Sequence, residues 1–184
     1  MHFKAPVTEQ LLVLECKKGS LKHQEMLYKH FYGFAMGVCL RYSLNPDDAS
    51  EAVNDAFMKV FNSIHQYNEA HPFKAWLRTI MVNTAIDRRR REMKHQMQLE
   101  ISDALPVADH APIIGRLNAQ DILKLMSALP PLHRTIFNLY EIDGYNHDEI
   151  GQMLGLPAST SRVYLSRAKE KLKKVLNSES EQYG

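Results

Sequence analysis

Cysteine, glycine, proline and long apolar runs are all scarce in this chain of 184 residues. Its two cysteines, Cys16 and Cys39, form no CxxC pair, which argues against a zinc knuckle or a disulfide framework and is typical of free thiols in a reducing compartment. Eight glycines and eight prolines favour helices joined by few turns over many short strands. The longest apolar run, residues 34–40, is far shorter than the roughly 20 residues that a membrane span needs. Because an N-terminal secretory pattern is also missing, we expect a cytoplasmic protein without membrane insertion.

Sequence motifs of catalysis and metal binding are missing as well. The chain contains no HExxH, no Gly-rich phosphate loop, no Gly-x-Ser-x-Gly and no His/Cys cluster at metal spacing. We therefore predict that it is not an enzyme and that it needs no cofactor and no metal. The net charge is only +2, but basic residues cluster at 88–91 and 162–174 with an acidic segment between them, and such local patches are typical of contacts with nucleic acid.

Apolar residues recur at helical spacing along most of the chain, without a convincing strand pattern. The predicted fold class is therefore all-α, with two small helical domains over residues 1–92 and 116–184. Between them, residues 93–115 contain Pro106 and Pro112 and predict a flexible linker. The expected helices cover about residues 1–22 with a break at Gly19, residues 21–42, 46–64 and 73–91, and residues from 116 to 129.

Residues 129–176 follow the order of a helix-turn-helix, which presents its last helix to the DNA major groove. Asn146 is placed to cap a helix whose third residue is Glu149, which makes a variant of the capping box. Gly155 can adopt the left-handed conformation that ends this helix, and Pro157 prevents its continuation. The C-terminal domain is therefore predicted to be a helix-turn-helix.

The last predicted helix, which Ser159 or Thr160 would cap, is strongly basic. Residues 158–176 carry six basic side chains and one acidic one, whereas residues 134–149 carry one basic and four acidic side chains. The positive end is the helix that would meet phosphate. The alternative is an ordinary amphipathic helix with a solvated basic face.

Three sequence blocks together resemble bacterial sigma factors of the small extracytoplasmic-function (ECF) type, over roughly residues 20–176. The first block, residues 48–61, is similar to the family's polymerase-binding helix, with the pattern D-A-E-D-x-x-Q-E-x-F. The second block, residues 73–90, matches F-x-x-W-L-x-x-I-x-x-N-x-x-x-D-x-x-R. The third, residues 161–168, lies in the helix-turn-helix, where the family commonly shows T-V-x-S-R-L-x-R-A. A helix-turn-helix alone is a weak indication of function, but the second block upstream of it is specific.

The resemblance implies that the N-terminal domain binds the clamp helices of the largest subunit of core RNA polymerase. The residues it assigns to that contact are Glu51, Asn54, Asp55, Phe57, Met58 and Phe61. It also implies recognition and melting of the minus-10 promoter element, by a base-capturing loop and by Tyr67, Asn68, His71, Trp76, Asn83, Arg88, Arg89 and Arg90. The helix-turn-helix would recognise the minus-35 element through Thr160, Arg162, Val163, Ser166 and Arg167. The implied partners are core RNA polymerase, promoter DNA and a dedicated anti-sigma factor.

Structural alternatives exist for several of these residues. Trp76 has the spacing of a core residue, Asn83 suits a solvated helix face, and the arginine run could complement a helix dipole. Glu51 and Asp55, one turn apart, invite an acid–base interpretation, but they have no catalytic partner nearby, and binding of a partner is the better functional alternative. In the linker, the acidic residues Asp103 and Asp109 either mimic nucleic-acid charge or belong to a solvated tether.

Three hypotheses for the whole chain follow. The first is a promoter-specificity subunit of RNA polymerase. The second is a stand-alone helix-turn-helix regulator that dimerises or senses a ligand through residues 1–92 and binds a palindromic site without polymerase. The third is an interaction protein whose basic helix binds another protein. The modest net charge and the absence of a ligand-pocket pattern favour the first hypothesis, and the second block argues against the third.

Overall fold

The structure of the chain, a computed structural model, describes residues 8–96, 126 and 129–182, with the backbone alone for residues 92–96 and 175–182. All regular elements in these residues are helical, which confirms the predicted all-α fold for them. Contacts between Cα atoms divide the chain into two units, Met1–Arg88 and Arg89–Gly184.

The N-terminal unit is built from four helices, and the last of them extends beyond Arg88, where this unit ends. They are α1 (Glu9–Lys17), α2 (Leu21–Cys39), α3 (Pro46–Ser63) and α4 (Phe73–Gln96), with a 3-10 turn at Ile64–Gln66 between α3 and α4. Helix α4 continues into residues 93–96, which were predicted to be linker, because this stretch contains neither glycine nor proline. The rest of the predicted linker, with Asp103 and Asp109, lies outside the described residues, as do residues 1–7 and most of the predicted helix 116–129.

Helix α3 begins where its sequence predicts. The Asn45 side-chain oxygen accepts a hydrogen bond from the Asp48 N–H at 2.8 Å, and Pro46 occupies the first turn. Both features satisfy or remove N–H groups that a helix start leaves without a partner. The buried face of α3 then follows at steps of three and four residues and packs against α2. Its members are Ala49, Ala52, Val53, Ala56, Phe57 and Val60.

The two cysteines belong to this core and are not positioned for chemistry. Burial raises the pKa of Cys16 to about 11 and that of Cys39 to about 12. Because the thiolate is the reactive form, both thiols are protonated and shielded at neutral pH. We expect neither to react with a disulfide reagent such as Ellman's reagent at pH 8 in the native protein, and both to react in urea. Rapid labelling of the native chain would contradict this assignment.

The C-terminal unit has three described helices and one π-helical turn. They are α5 (Pro131–Phe137), the π-turn (Asn138–Ile142), α6 (His147–Leu154) and α7 (Ala158–Gln182). Helices α5 and α6 both pack against α7. Helix α7 begins earlier than predicted, because the Pro157 carbonyl already accepts the Ser161 N–H at 3.2 Å. Ser159 and Thr160 therefore lie in its first turn and do not cap it.

Candidate nucleic-acid interface

Most of the residues predicted to bind polymerase lie on the solvent side of α3. Glu51, Asn54, Asp55 and Met58 are exposed and Phe61 is half-buried. At about 100° per residue, these five positions lie opposite the buried stripe of the helix, so they form one surface. Phe57 differs from the expectation: its side chain is 2% exposed because its position falls on the buried stripe. It supports this surface from inside and is not part of it.

Aromatic rings beneath and beside this surface join α3 to α2. Tyr28 of α2 lies 4.7 Å from Phe57 between ring centroids, and Phe57 lies 5.8 Å from Phe61. The Tyr28 hydroxyl donates to the Asn54 side-chain oxygen at 2.9 Å. Tyr28 is not among the residues predicted from the sequence, because its partners lie in another helix and local spacing carries no signal for such a contact. The surface thus combines the apolar side chains of Met58 and Phe61 with the polar side chains of Glu51, Asn54 and Asp55, a mixture that many protein interfaces have.

Arg88 connects the two predicted binding surfaces of this unit. Its guanidinium donates to Asp55 at 2.8 Å and to Glu51 at 2.5 Å, so a residue predicted to contact DNA is ion-paired with two residues predicted to contact polymerase. Burial favours the neutral form, but these hydrogen bonds outweigh it and raise the pKa of Arg88 above its ordinary value. A second, longer pair joins Lys59 to Asp87 at 3.5 Å. Helix α4 is therefore fastened to α3 by ion pairs.

The four consecutive arginines do not act as one patch. Because neighbouring residues of a helix point about 100° apart, they cannot share a face. Arg90 and Arg91 are exposed and Arg88 is half-buried, whereas Arg89 is 3% exposed. The structure thus differs from the expectation that Arg89 presents its charge to phosphate. Asn83 is exposed on α4, two turns before Arg90, at a spacing that places both on one face.

The loop between the 3-10 turn and α4 closes on itself. The Tyr67 hydroxyl donates to the His71 carbonyl at 2.5 Å, and the Asn68 side-chain oxygen accepts from the Ala70 N–H at 2.9 Å. Asn68 and His71 are exposed, whereas Tyr67 is buried. Asn68 and His71, two of the side chains predicted to contact the minus-10 element, are therefore exposed on a loop that its own hydrogen bonds hold in place.

Under this loop lies an aromatic cluster made of Tyr67, Phe73 and Trp76. Their ring centroids are 5.2–5.6 Å apart, and Phe31 of α2 lies 5.3 Å from Phe73. Such distances are typical of favourable tilted and edge-to-face pairs. Trp76 is half-buried in this cluster: it packs against the other rings, and its side chain remains partly accessible to solvent.

The helix-turn-helix has the end signals that the sequence predicts. Asn146 accepts from the N–H groups of Asp148 and Glu149, and the Glu149 carboxylate accepts from the Asn146 N–H, which completes the capping box. Gly155 has φ of 70° and ends α6 in the left-handed conformation. Inside the motif, His147 Nδ1 lies 2.9 Å from the buried Ser161 hydroxyl. Burial, followed by the charge of Arg162, lowers the pKa of His147.

The π-turn, which the sequence does not predict, adds an ion pair with α7 to the contact between His147 and Ser161. It places the Tyr140 ring on the His147 ring with centroids 4.5 Å apart, and Glu141 in an ion pair with Lys169 at 2.7 Å. The wider i→i+5 ring is formed by the Asp143 N–H and the Asn138 carbonyl at 3.0 Å. The orientation of α7 is therefore fixed by polar contacts in addition to its apolar face.

All residues predicted to contact the minus-35 element lie on one side of α7. Ser161, Leu165 and Ala168 are buried, and the predicted positions are centred on the opposite side of the helix, which at about 100° per residue forms one face. Arg162 is exposed, and the others are half-buried: Thr160, Val163, Ser166 and Arg167. The Arg167 guanidinium lies 6.0 Å from the centre of the Tyr164 ring. The centroid of the same ring lies 4.8 Å from that of His133 in α5.

Among the side chains that the structure describes, those of residues 8–91, 126 and 129–174, no set of three or more His, Cys, Asp or Glu is arranged to hold a metal ion. The helices described in the same residues include none long and apolar enough to cross a membrane.

Both units of the chain contain sequences that match known protein families. Residues 27–95 match the family described as Sigma-70 region 2, and residues 119–172 match Sigma-70, region 4. The ECF RNA polymerase sigma factor SigE of Mycolicibacterium smegmatis is 30% identical over 161 residues, which cover 84% of this chain and 59% of that protein. The ECF RNA polymerase sigma-E factor of Haemophilus influenzae is 25% identical over 176 residues, 89% of this chain and 93% of that protein.

The solved structures with a similar fold include a complex of a sigma factor. It is the sigma factor RpoE in complex with the anti-sigma factor NepR from Bartonella quintana, with a TM-score of 0.50, 22% identity, and coverage of 85% of this chain and 98% of that one. The regions matched in sequence occur in the order and at the positions that the three blocks indicate. The chain belongs to the sigma-70 family of RNA polymerase sigma factors, in its ECF type.

Proposed function

We propose that this chain binds core RNA polymerase and directs it to specific promoters as an ECF sigma factor. The observation that carries the proposal is the presence of sigma-70 regions 2 and 4 in one chain, with most of the predicted polymerase contacts on one face of α3 and the predicted minus-35 contacts on one side of α7. The relatives are named as sigma factors, so the alternative of a stand-alone regulator has no support among them. In this role the chain is not itself an enzyme: the polymerase performs the chemistry, and both act in the cytoplasm.

The N-terminal unit supplies two surfaces in this proposal. The α3 surface of Glu51, Asn54, Asp55, Met58 and Phe61 contacts the polymerase clamp helices. The loop of residues 67–71, with Trp76 and Asn83, binds the single-stranded minus-10 element. Strand opening needs an unstacked base held against aromatic rings, and the exposed amides of Asn68 and Asn83 can hydrogen-bond to base edges.

The C-terminal unit reads the minus-35 element with the exposed face of α7. An arginine in the major groove can donate two hydrogen bonds to guanine, and lysines further along the helix neutralise phosphates. A dedicated anti-sigma factor would cover these faces in the absence of a signal. The related structure named above holds such a partner, which motivates this part of the proposal.

Run-off transcription with core RNA polymerase of the source bacterium tests the proposal directly. Genomic DNA fragments are transcribed with and without the full chain, and start sites are mapped. Initiation at defined sites that requires the chain is expected. Absence of initiation, together with DNA binding that does not need polymerase, would instead establish the stand-alone regulator.

Arg162 provides a sharper test of the proposed minus-35 contact. Replacing Arg162 with Ala is expected to cost about 1–3 kcal/mol of promoter binding if its guanidinium contacts a base edge. The loss should be confined to promoters with the preferred base at that position. Lys173 of the same helix is the matched control, because an exposed lysine that contacts only phosphate weakens binding to all sequences alike. Competition between promoter variants in the run-off assay measures both effects, and an unchanged preference in Arg162→Ala would refute the base contact.

A further inference from the structure

Helix α1 lies outside the part of the chain that matches sigma-70 region 2, which begins at residue 27. Its last residue nevertheless reaches the loop proposed to bind the minus-10 element. The Lys17 ammonium donates to the Tyr67 carbonyl at 3.3 Å and to the Glu69 carboxylate at 2.8 Å, and it lies 5.5 Å from the centre of the Tyr67 ring. One side chain from a separate helix thus contacts the first and third residues of the loop.

These contacts differ from an ordinary surface ion pair. An exposed pair of charges contributes little to stability, because both partners remain solvated. The Lys17 side chain, however, is 21% exposed, and it also meets a main-chain carbonyl and an aromatic ring. A partly desolvated ammonium held by three partners of different kinds fixes the position of what it contacts. Burial of the Tyr67 ring, the first cause of its raised pKa, is part of the same arrangement.

The charge of Lys17 also matters for binding of DNA. Glu69 is an exposed carboxylate in a loop proposed to receive a polyanion, and alone it would repel phosphate. Lys17 compensates this charge from the protein side, so that Asn68 and His71 are presented next to a neutralised carboxylate. Lys17 therefore both holds the loop in place and offsets the negative charge of Glu69.

We propose that Lys17 is a positioning residue that holds the loop of residues 67–71 in the conformation that selects the minus-10 sequence. This inference rests on the proposed function. It extends the specificity determinants of the N-terminal unit to α1, a helix beyond the matched region.

The test compares Lys17→Met with Lys18→Met. Methionine keeps most of the apolar stem and removes the charge. Lys18, the residue that follows α1, is the matched control, because its ammonium pairs at 2.6 Å with Glu15, three residues earlier, and not with the loop. Lys17→Arg, which keeps the positive charge and the N–H donors to the Tyr67 carbonyl and Glu69, is expected to retain function. Each full-length variant is assayed in two ways: acrylamide quenching of Trp76, the only tryptophan of the chain, and run-off transcription on a promoter and its minus-10 point variants.

Trp76 reports on the loop because its ring lies 5.4 Å from that of Tyr67. We expect Lys17→Met to increase acrylamide quenching and to reduce discrimination between minus-10 variants by roughly tenfold, about 1.4 kcal/mol, with core affinity unchanged. Lys18→Met should change neither property. Unchanged quenching in Lys17→Met would show that Lys17 does not hold the loop, and unchanged discrimination would show that the held loop does not set specificity; either result overturns the inference. If the wild-type chain itself gives no initiation, the proposed function fails, and this role fails with it.

Discussion

Gly151→Ala is expected to destabilise the helix-turn-helix by about 1–3 kcal/mol, as overpacking typically does. A Cβ atom at this position would lie 2.7 Å from the Leu156 carbonyl oxygen and 3.5 Å from the Ala158 nitrogen. Both neighbours are main-chain atoms of the turn, which no side-chain rotation can move away. The turn between α6 and α7 would have to open, which would change the orientation of α7 against α6.

Two spectroscopic signals separate this effect from general destabilisation. Far-UV circular dichroism follows the helices of the whole chain, whereas Trp76 fluorescence follows the N-terminal unit alone. In thermal unfolding, Gly151→Ala should lower the transition of the C-terminal helices and leave the fluorescence transition in place. An unchanged dichroism curve would mean that the turn tolerates the methyl group, and the assigned close approach would be wrong.

Gly33→Ala is the matched control, because it is the same chemical change with the opposite expected sign. Gly33 lies inside α2, and a Cβ there meets no atom within 4 Å. Glycine in a helix interior costs roughly 0.5–1 kcal/mol relative to alanine, because more backbone entropy is lost on folding. Gly33→Ala should therefore raise the fluorescence transition of the N-terminal unit.

Local chemistry explains which features of the fold could be predicted from the sequence. A cap acts within three or four residues, so Asn45 and Asn146 mark the starts of α3 and α6, and Gly155 marks the end of α6. Helical periodicity likewise separates the faces of α3 and α7. These features depend on side chains that are neighbours along the chain, which is why they are visible without a structure.

Contacts between helices could not be predicted in this way. Lys17 meets Glu69, and Arg88 meets both Glu51 and Asp55, across separations of 33 to 52 residues. Nothing in the local sequence specifies such pairs, because they depend on how helices pack. The burial of individual residues in the run of four arginines, residues 88–91, could not be predicted from the local sequence either. Arg89 is buried while its neighbour Arg90 is exposed, because consecutive residues of a helix point about 100° apart.

Two adjacent residues of α3 provide the largest expected contrast between stability and function. The resemblance assigns both Phe57 and Met58 to polymerase binding, but the structure places them on opposite sides of the boundary between core and surface. Phe57 is buried against Tyr28 and Phe61, whereas 63% of Met58 is exposed. A family pattern cannot separate a residue that shapes a binding helix from one that touches the partner, because both are needed for binding.

Phe57→Ala is expected to lower the free energy of unfolding by about 3–5 kcal/mol, the range measured when buried aromatic side chains are truncated. The lost ring leaves a cavity between α2 and α3, and the aromatic contacts with Tyr28 and Phe61 disappear. Urea unfolding followed by Trp76 fluorescence measures the change. A loss below about 1 kcal/mol, typical of surface substitutions, would contradict the placement of Phe57 in the core.

Met58→Ala should show the reverse pattern. Because its side chain is mostly solvated, its removal is expected to change stability by no more than about 0.5 kcal/mol. Affinity for core RNA polymerase should fall roughly tenfold or more, as for a hot-spot residue at the centre of an interface. Titration of core polymerase with each purified variant measures this loss at temperatures where both are folded. If Met58→Ala bound core as well as the wild type, the exposed face of α3 would not be the polymerase contact, since Met58 is the most central apolar side chain that this face presents.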